Sequence, residues 1–201
     1  MTQKDIDIEK HPLEPFLPLN SRVLFLGSFP PQKKRWCIDF FYPNFINDHW
    51  RIEGEIFFQN KNVFVDEERK IFRKDAIISF LKEKGIALYD TATTIRRLQN
   101  NASDKSLEII EATNIDSLLA KIPFCSTIAT TGEKATETIC KNYGIESIPK
   151  VGCFTDIPNK HNADGKPIIL YRLPSSSRAY PLSFHKKVEA YRTMFEHTGL
   201  L

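Results

Sequence analysis

The sequence predicts an α/β fold, namely a three-layer α/β/α sandwich with a central, mainly parallel four-stranded sheet. Short apolar runs alternate with amphipathic segments along the chain, which is the pattern of parallel strands joined by crossover helices. The run at 22–26 is also apolar enough to be buried on both faces of a sheet. The predicted strands span residues 22–26, 86–90, 126–131 and 168–173.

Five helices are predicted from the spacing of apolar residues. They lie within residues 45–59, 67–84, 115–122, 133–143 and 184–197. The first begins near Asn47 or Asp48, either of which could cap it, and Asn114 or Asp116 lies near the start of the third. We expect residues 91–106 to be irregular and residues 145–165 to form a loop or a short hairpin.

The chain is predicted to be one domain with a short arm. Its 201 residues are enough for one well-buried core and few for two. Residues 1–20 contain three prolines and no helical periodicity, which favours an N-terminal arm on the surface. Residues 21–201 show no linker, repeat or low-complexity tract, and we expect them to form a single domain.

The composition predicts a cytoplasmic protein that is not bound to a membrane. The hydrophobic fraction of 41% and the charged fraction of 26% are those of an ordinary globular protein. No apolar run approaches the roughly 18–20 residues that cross a bilayer, and the N-terminus lacks the apolar core of a signal peptide. The net charge of +3 is compatible with a polyanionic partner without identifying one.

The cysteines indicate neither disulfides nor a metal site. Cys37, Cys125, Cys140 and Cys153 are scattered and form no C-x-x-C pair, as is usual for reduced intracellular thiols. The chain also lacks the G-x-G-x-x-G, Walker and G-x-S-x-G motifs. We therefore predict that the protein binds no metal and needs no cofactor.

The densest functional signal lies in residues 24–52, where the first predicted strand is followed by a long aromatic loop. The strand ends at Gly27-Ser28-Phe29-Pro30, and three basic residues follow at 33–35. Aromatic and amide side chains then recur up to Trp50. Parallel α/β sheets bind their ligands beyond the carboxyl ends of the strands, so we expect the functional site there.

Two motifs at strand ends carry a family resemblance. After the G-S-x-P turn come an aromatic pair and N-x-x-W-R-I, here Asn47 to Ile52, and the last strand ends in Leu173-Pro174-Ser175-Ser176-Ser177-Arg178-Ala179. In this order they resemble the uracil-DNA glycosylase superfamily, most closely its hypoxanthine-DNA (deoxyinosine) glycosylase branch. Weaker similarities at 85–90 and 131–135 extend the resemblance to all four predicted strands, over about residues 20–197.

The chain differs from that branch at five positions. Around the asparagine, the branch has a proline, a basic residue and a phenylalanine where this chain has Phe45, Asp48 and His49. The proline of the late motif is Arg178 here, and an amide common at the end of the third strand is Thr131. These differences concern the identity of the substrate.

The resemblance implies a monofunctional DNA glycosylase of base-excision repair. Such an enzyme hydrolyses the N-glycosidic bond of a deaminated base, hypoxanthine or uracil, after the nucleotide has been flipped out of the DNA. The implied partner is DNA that contains a damaged or deaminated base, bound by a monomer. Asn47 is the implied catalytic residue, because its amide can accept a hydrogen bond from water and orient it.

The remaining site residues follow from what base excision requires. We expect the turn Gly27, Ser28, Phe29 and Pro30 to bind the base edge, with the backbone N–H groups that follow Gly27 as donors. Phe41 and Tyr42 are expected to stack on the base, with Phe29 and Phe45 as alternatives. The predicted DNA contacts, which small hydroxyls and a guanidinium suit, are Ser175, Ser176, Ser177 and Arg178.

Several of these residues also have a purely structural explanation. Without the resemblance, Asn47 is better explained as a helix cap, and one side chain cannot easily do both. Asp48 and His49 would be stronger general bases than an amide, although a first-turn acid and a packed histidine explain them equally simply. The basic run at 33–35 could contact phosphates or be solvated, and Trp50 is expected in the core.

Two other functions remain open at this point. The protein could be an inactive member of the superfamily that binds DNA or a nucleobase, since the differences cluster around Asn47 and at Arg178. It could also be a small-molecule hydrolase or a nucleotide-binding module, which the missing phosphate-loop and nucleophile motifs disfavour. Salt dependence separates these, because binding to DNA weakens steeply with salt and binding of a small neutral ligand does not.

Overall fold

The computed structural model describes residues 8–98, 107–158 and 166–201. The basic run 33–35 forms one short 3₁₀ helix, Lys33–Arg35. The strands are β1 (Ile8–Lys10), β2 (Val23–Gly27), β3 (Val65–Asp66), β4 (Ile71–Phe72), β5 (Ile86–Asp90), β6 (Ala92–Arg97), β7 (Leu107–Ala112), β8 (Thr127–Thr131), β9 (Phe154–Ile157) and β10 (Ile168–Leu173). The helices are α1 (His49–Phe58), α2 (Lys74–Lys84), α3 (Ile115–Leu119), α4 (Glu133–Asn142) and α5 (Phe184–His197).

The central sheet has five strands in the order β5-β2-β8-β10-β9. The four predicted strands are its β2, β5, β8 and β10, and they run parallel. The fifth strand, β9, pairs antiparallel with β10 at the edge, where the sequence predicted a loop or a short hairpin. Three of its four residues are partly or fully exposed, so it lacks the apolar run that marks a buried strand. An α/β fold is therefore confirmed, with a mixed five-stranded sheet in place of the expected four-stranded one.

Both faces of the sheet are covered, because every residue of β2 is buried. Phe25 packs on α5 through Tyr191 and Phe195, at ring-centroid distances of 6.1 and 5.8 Å. Phe57 of α1 lies 5.0 Å from Phe80 of α2 and 4.9 Å from Phe195. The helices α1, α2 and α5 thus form one layer that is held together by aromatic rings.

A second, three-stranded antiparallel sheet has the order β1-β6-β7. Its strand β6 lies in the segment 91–106 that we expected to be irregular, and residues 99–106 of that segment lie outside the described residues. Threonine and arginine occupy most of β6, so the hydrophobic pattern of a strand is weak there. Upstream, Phe16 pairs with Leu88 and covers the free edge of β5.

The helix predicted at 67–84 begins seven residues later than expected. Ile71 and Phe72 have a helical spacing with the residues that follow, but they pair with β3 in a small hairpin. Lys70 takes a left-handed conformation, with a φ of 54°, which ends any helix at that point. Pairing with β3 therefore makes Ile71 and Phe72 a strand, although their spacing with the following apolar residues fits a helix.

The other helices agree with their predictions. The helix α5 spans Phe184–His197, and Val188, Tyr191, Met194 and Phe195 are buried as expected. The side chain of Asn114 caps α3 by accepting a hydrogen bond of 3.0 Å from the backbone N–H of Ser117. These helices are predictable because their caps and apolar faces are local features of the sequence.

The four thiols are free, and Cys125 and Cys140 are buried. Burial raises the pKa of Cys125 to about 12. In the part of the chain that the structure describes, no helix is both long and apolar enough to span a bilayer.

Candidate active site at the carboxyl ends of the strands

The two motif loops lie side by side, although about 130 residues separate them in the sequence. Asn47 pairs with Ser177 in an antiparallel β-bridge. The backbone N–H of Asp48 donates to the carbonyl of Ser176 at 3.0 Å. The loop that precedes α1 and the loop that follows β10 therefore form one surface at the expected end of the sheet.

The side chain of Asn47 contacts the start of α1. Its Oδ1 accepts a hydrogen bond of 2.8 Å from the backbone N–H of His49, the first residue of the helix. Asp48 occupies the N-cap position and makes no cap bond through its own side chain. Asn47 thus supplies the polar contact at this helix end, as the capping alternative expects. An amide oxygen can accept two hydrogen bonds, so this contact leaves capacity for a second donor such as water.

Arg51 fixes the backbone around Asn47. Its guanidinium donates to the carbonyls of Phe45 at 2.8 Å and of Asn47 at 3.2 Å, and it lies 4.7 Å from the centroid of the Phe45 ring. Burial lowers its pKa, and Arg178 nearby lowers it further. Arg51 has no predicted role from the sequence, although it belongs to the N-x-x-W-R-I motif.

Asp48 is part of a buried charge cluster. Its Oδ1 accepts from Nε of Arg178 at 2.8 Å, and its Oδ2 lies 3.5 Å from Nζ of Lys187. Lys187 also donates to the carbonyl of Ser177 at 2.8 Å, and its side chain is 2% exposed. Both oxygens of Asp48 therefore face cations, which disfavours its role as a general base and gives it the role of a link between the two loops.

His49 is buried and neutral. Its ring stacks on Tyr42, with centroids 3.6 Å apart and an interplanar angle of 13°. Burial lowers its pKa to about 3 and raises the pKa of Glu53, whose Oε1 lies 3.7 Å from Nε2 of His49. Within the described residues, neither ring nitrogen of His49 and neither carboxyl oxygen of Glu53 has a hydrogen-bond partner. The pair is packed between helices, so His49 is no candidate for the general base.

Of the two aromatic residues expected to stack on the base, Phe41 lies in the core and Tyr42 lies nearer the surface. Phe41 is 4% exposed and packs with Phe40 and Tyr89 in the core. Tyr42 is half-buried, and its hydroxyl shares a hydrogen bond of 3.0 Å with Oγ1 of Thr131. Its φ is 47°, a left-handed backbone conformation. Tyr42 is therefore the more exposed member of the pair, with one ring face stacked on His49.

The other expected aromatics are engaged within the protein. Phe29 is 8% exposed and packs against Ala92 and Ile95 in the smaller apolar cluster. Phe45 lies under Arg51. Trp50 is fully buried, as expected, and its indole N–H donates to the carbonyl of Phe41 at 3.2 Å.

The turn after β2 needs its glycine. A Cβ on Gly27 would overlap Oδ1 of Asp90, the last residue of β5, and would lie 3.9 Å from Oγ1 of Thr131. The other oxygen of Asp90 pairs with Nε2 of His11 at 2.9 Å. Neither His11 nor Asp90 has a predicted role from the sequence, in which the position of Asp90 at a strand end is the signal that could have indicated one.

The serines of the late motif stabilise their own turn. Ser175 Oγ accepts from the backbone N–H of Ser177, and Ser177 Oγ accepts from that of Ala179, both at 3.2 Å. Ser176 is 2% exposed, whereas half of the Arg178 side chain is exposed. Next to this turn, a cleft of about 110 Å³ is lined by Gly132, Glu133, Val151, Arg172, Leu173, Ser175 and Tyr180.

The basic segment lies on the surface. Lys33, Lys34 and Arg35 form a short 3₁₀ helix without a buried residue. Lys33 pairs with Asp39 and lies 4.1 Å above the ring of Trp36. Two of the three cations are thus left to a partner or to solvent. Across the described ranges, no group of three histidine, cysteine or acidic residues could hold a metal ion.

Comparison with known proteins identifies the fold. No family model matches the chain, and no curated protein matches it. A solution NMR structure of a protein from Methanosarcina acetivorans, described as a "putative Uracil DNA glycosylase", aligns over 96% of this chain and 99% of that chain. The TM-score is 0.61 and the sequence identity 23%. The two proteins share a fold. At this identity the likeness extends to the fold alone.

Proposed function

We propose that this protein is a monofunctional DNA glycosylase that hydrolyses the N-glycosidic bond of a deaminated base, hypoxanthine or uracil. The observation that carries the proposal is the contact between the two motif loops, through the bridge of Asn47 with Ser177. The asparagine and the serine turn meet at the carboxyl ends of the strands, where α/β sheets bind ligands. The fold shared with the Methanosarcina protein adds support.

In this mechanism the protein acts on a flipped nucleotide as a monomer. Asn47 accepts a hydrogen bond from a water molecule and directs it at the sugar carbon as the base departs. Backbone N–H groups in the turn after Gly27 stabilise the departing base. Pro30 belongs to this turn but has no N–H to donate. Tyr42 stacks on the base, and the serine turn with Arg178 contacts the DNA backbone.

An excision assay tests the proposal. Purified protein is incubated in excess with duplex and single-stranded oligonucleotides that contain hypoxanthine, uracil or xanthine, and abasic sites are cleaved with alkali and quantified on a gel. We expect excision of at least one of these bases, and a loss of about 100-fold or more in Asn47→Ala, the scale of removing a group that acts at the transition state. Asn62→Ala, an exposed loop position, is the matched control and retains full activity. Absence of abasic product from every substrate overturns the proposal.

A second function is favoured by the hydrogen bond between Asn47 and His49. If the amide serves only to cap α1, the protein is an inactive relative that binds DNA or a nucleobase without cleaving it. The two functions differ in whether a base is released. An inactive relative would bind lesion duplexes in a mobility-shift assay but release no base. Its DNA affinity would also be the same in the parent protein and in a folded Asn47→Ala variant.

A further inference from the structure

We infer that Arg97 positions the turn at residues 27–30 for base excision, by donating a hydrogen bond to the carbonyl of Pro30 while Glu9 holds its guanidinium. This inference rests on the proposed glycosylase function, in which backbone N–H groups of the turn stabilise the departing base. It gives the N-terminal strand β1 a part in the reaction, since Glu9 belongs to that strand. Arg97 is then a positioning residue, which acts through the turn and does not touch the base.

The first argument is that proline limits the backbone hydrogen bonds of this turn. Pro30 and the proline after it carry no N–H, so the donors of the turn are those of Ser28 and Phe29. The carbonyl of Gly27 accepts from the backbone N–H of Thr91 at 2.8 Å, which holds the start of the turn. The end of the turn has no N–H by which it could be held. It can be fixed only through its carbonyls and its side chains.

The second argument is the bond from Arg97 to the end of the turn. Nη2 of Arg97 donates to the carbonyl of Pro30 at 3.2 Å and to Oε2 of Glu9 at 3.0 Å. Nε of Arg97 donates to Oε1 of Glu9 at 2.8 Å. An Nη2 group carries two hydrogens, so it can serve both acceptors at once. The bidentate contact with Glu9 fixes the plane of the guanidinium, and with it the direction of the bond to Pro30.

The third argument is the face of the second sheet from which Arg97 extends. Glu9 pairs with Ile95 across β1 and β6, and Arg97 lies two residues further along β6, so these three side chains share one face. On this face Ile95 packs against Phe29 of the turn. The sheet therefore holds the turn by two contacts, an apolar one at Phe29 and a polar one at Pro30.

The burial of Arg97 distinguishes it from its neighbour in the same strand. Arg96 lies on the opposite face and donates to Glu108 at 3.0 Å, with 35% and 46% of the two side chains exposed. The side chain of Arg97 is only 5% exposed. Breaking its bond to Pro30 would leave a buried N–H without that partner, which costs more than the same loss at the surface. The buried guanidinium therefore favours one arrangement of the turn.

The arrangement of the turn matters because the departing base becomes negatively charged. Backbone donors stabilise this charge only where they lie within hydrogen-bonding distance of the developing anion. A displacement of about 1 Å in a positioned group can reduce a rate by about 100-fold. DNA that lacks the base makes no contact with these donors, so its binding does not depend on their position. Loss of Arg97 is therefore expected to lower the rate of excision and to leave the affinity for base-free DNA unchanged.

The test removes the donor to Pro30 both with and without an unpaired charge. Arg97→Met removes the donor and leaves Glu9 without its partner. The double variant Glu9→Leu, Arg97→Met replaces the whole pair with apolar side chains, an exchange that is often neutral for stability. Arg97→Lys is the mildest change, since it keeps the charge but loses the planar fork. Thermal unfolding reports the stability of each variant.

Two measurements separate the rate from binding. The rate is the single-turnover excision rate, with protein in excess, on the base that the parent protein excises fastest. The affinity is measured by fluorescence anisotropy on a duplex with a tetrahydrofuran abasic-site analogue. We expect Arg97→Met and the double variant to lose about 10- to 100-fold in rate, and Arg97→Lys about 10-fold, with unchanged affinity in all three. We also expect the double variant to recover stability relative to Arg97→Met without recovering the rate.

The control and the outcomes separate this inference from the proposed function. Arg96→Met removes the ion pair on the opposite face of the same sheet, and we expect it to leave rate and affinity unchanged. If the parent protein excises bases and the folded Arg97 variants keep its rate, the inference is wrong and the glycosylase stands. The inference is also wrong if rate and affinity fall together, or if the double variant recovers the rate along with the stability. If the parent protein excises no base, the proposed function fails, and the inference fails with it.

Discussion

At the scale of single residues, His49 shows how one buried polar side chain affects the stability of the protein. Its two ring nitrogens and the two carboxyl oxygens of Glu53 are buried without hydrogen-bond partners among the described residues. Buried polar groups without partners are costly to fold. A phenylalanine at this position would fill the space beside Tyr42 without that cost. The histidine is therefore a destabilising residue in the middle of the helix layer.

We expect His49→Phe to be more stable than the parent protein, by about 1–2 kcal/mol at pH 7.5. This difference in the free energy of unfolding increases as the pH falls. The pKa of His49 is about 3 in the folded protein against an ordinary value of 6.5. Below pH 6.5 the unfolded chain binds a proton that the folded one does not, so the parent loses up to about 1.4 kcal/mol per pH unit. Urea unfolding at pH 7.5 and 5.0 measures both effects.

The matched control is His185→Phe, at an exposed position of α5, which leaves the acid dependence unchanged. Glu53 is present in every variant, and its raised pKa acts in the other direction, because its contribution to stability is lost as pH rises above 4.5. Its effect therefore largely cancels when variant and parent are compared at the same pH. If the free energy of unfolding falls with pH equally in His49→Phe and in the parent below pH 6.5, the lowered pKa of His49 is contradicted.

At the scale of elements, Lys187 connects three parts of the site. It extends from α5, donates to the carbonyl of Ser177 after β10, and faces Asp48 at the start of α1. Because Lys187 is buried, these two groups are its polar partners within the described residues. The relative position of the two motif loops thus depends on a helix that carries no motif residue itself.

We expect Lys187→Met to cost about 2–4 kcal/mol of stability, since it leaves a buried carboxylate with one cation and a carbonyl without its donor. The loop after β10 loses its fixed position, so binding of a lesion duplex weakens as well. Urea unfolding and fluorescence anisotropy report the two effects. Lys186→Met, at the exposed position next to it on the same helix, is expected to change neither. If Lys187→Met and Lys186→Met lose the same stability and the same affinity, Lys187 stabilises α5 without fixing the position of the loop after β10.

The elements also show what a sequence can predict. The strands β2, β5, β8 and β10 and the helix α5 were predictable, because short buried runs and helical periods are properties of local sequence. The strands β6 and β9 were not, since they are short or polar and exist through their neighbours. Asn47 and Ser177 were expected near each other from their motifs. The contacts of His11 with Asp90 and of Lys187 with Asp48 depend on tertiary packing that no local pattern records.

At the scale of the whole molecule, the excess of positive charge is small, so its location decides where the proposed DNA partner would bind. The net charge is +3, and three basic residues form the exposed 3₁₀ helix 33–35. Each phosphate contact made by a cation adds about 0.9 to the slope of log affinity against log salt concentration on duplex DNA. The slope of log affinity against log salt concentration therefore measures how many phosphate contacts the protein makes.

We expect the triple variant Lys33→Ala, Lys34→Ala, Arg35→Ala to reduce this slope by about two to three on a lesion duplex. Affinity measured between 50 and 300 mM salt by anisotropy gives the slope (roughly the range in which counterion release dominates). The control removes three exposed lysines elsewhere, through Lys82→Ala, Lys121→Ala and Lys141→Ala. A slope that falls equally in both variants would mean that the basic helix is an ordinary solvated segment.

The bridge between Asn47 and Ser177 has a consequence for how the protein is made. A ribosome synthesises residue 47 long before residue 177, and Lys187, which secures their contact, comes later still. The helix, the turn and most of the sheet can form on the growing chain, but the two halves of the site cannot meet until nearly all of it has emerged. A nascent or truncated chain that ends before residue 187 would therefore have the central sheet but not the assembled candidate site. Formation of the sheet and formation of the site are thus separated in time by the order of the sequence alone.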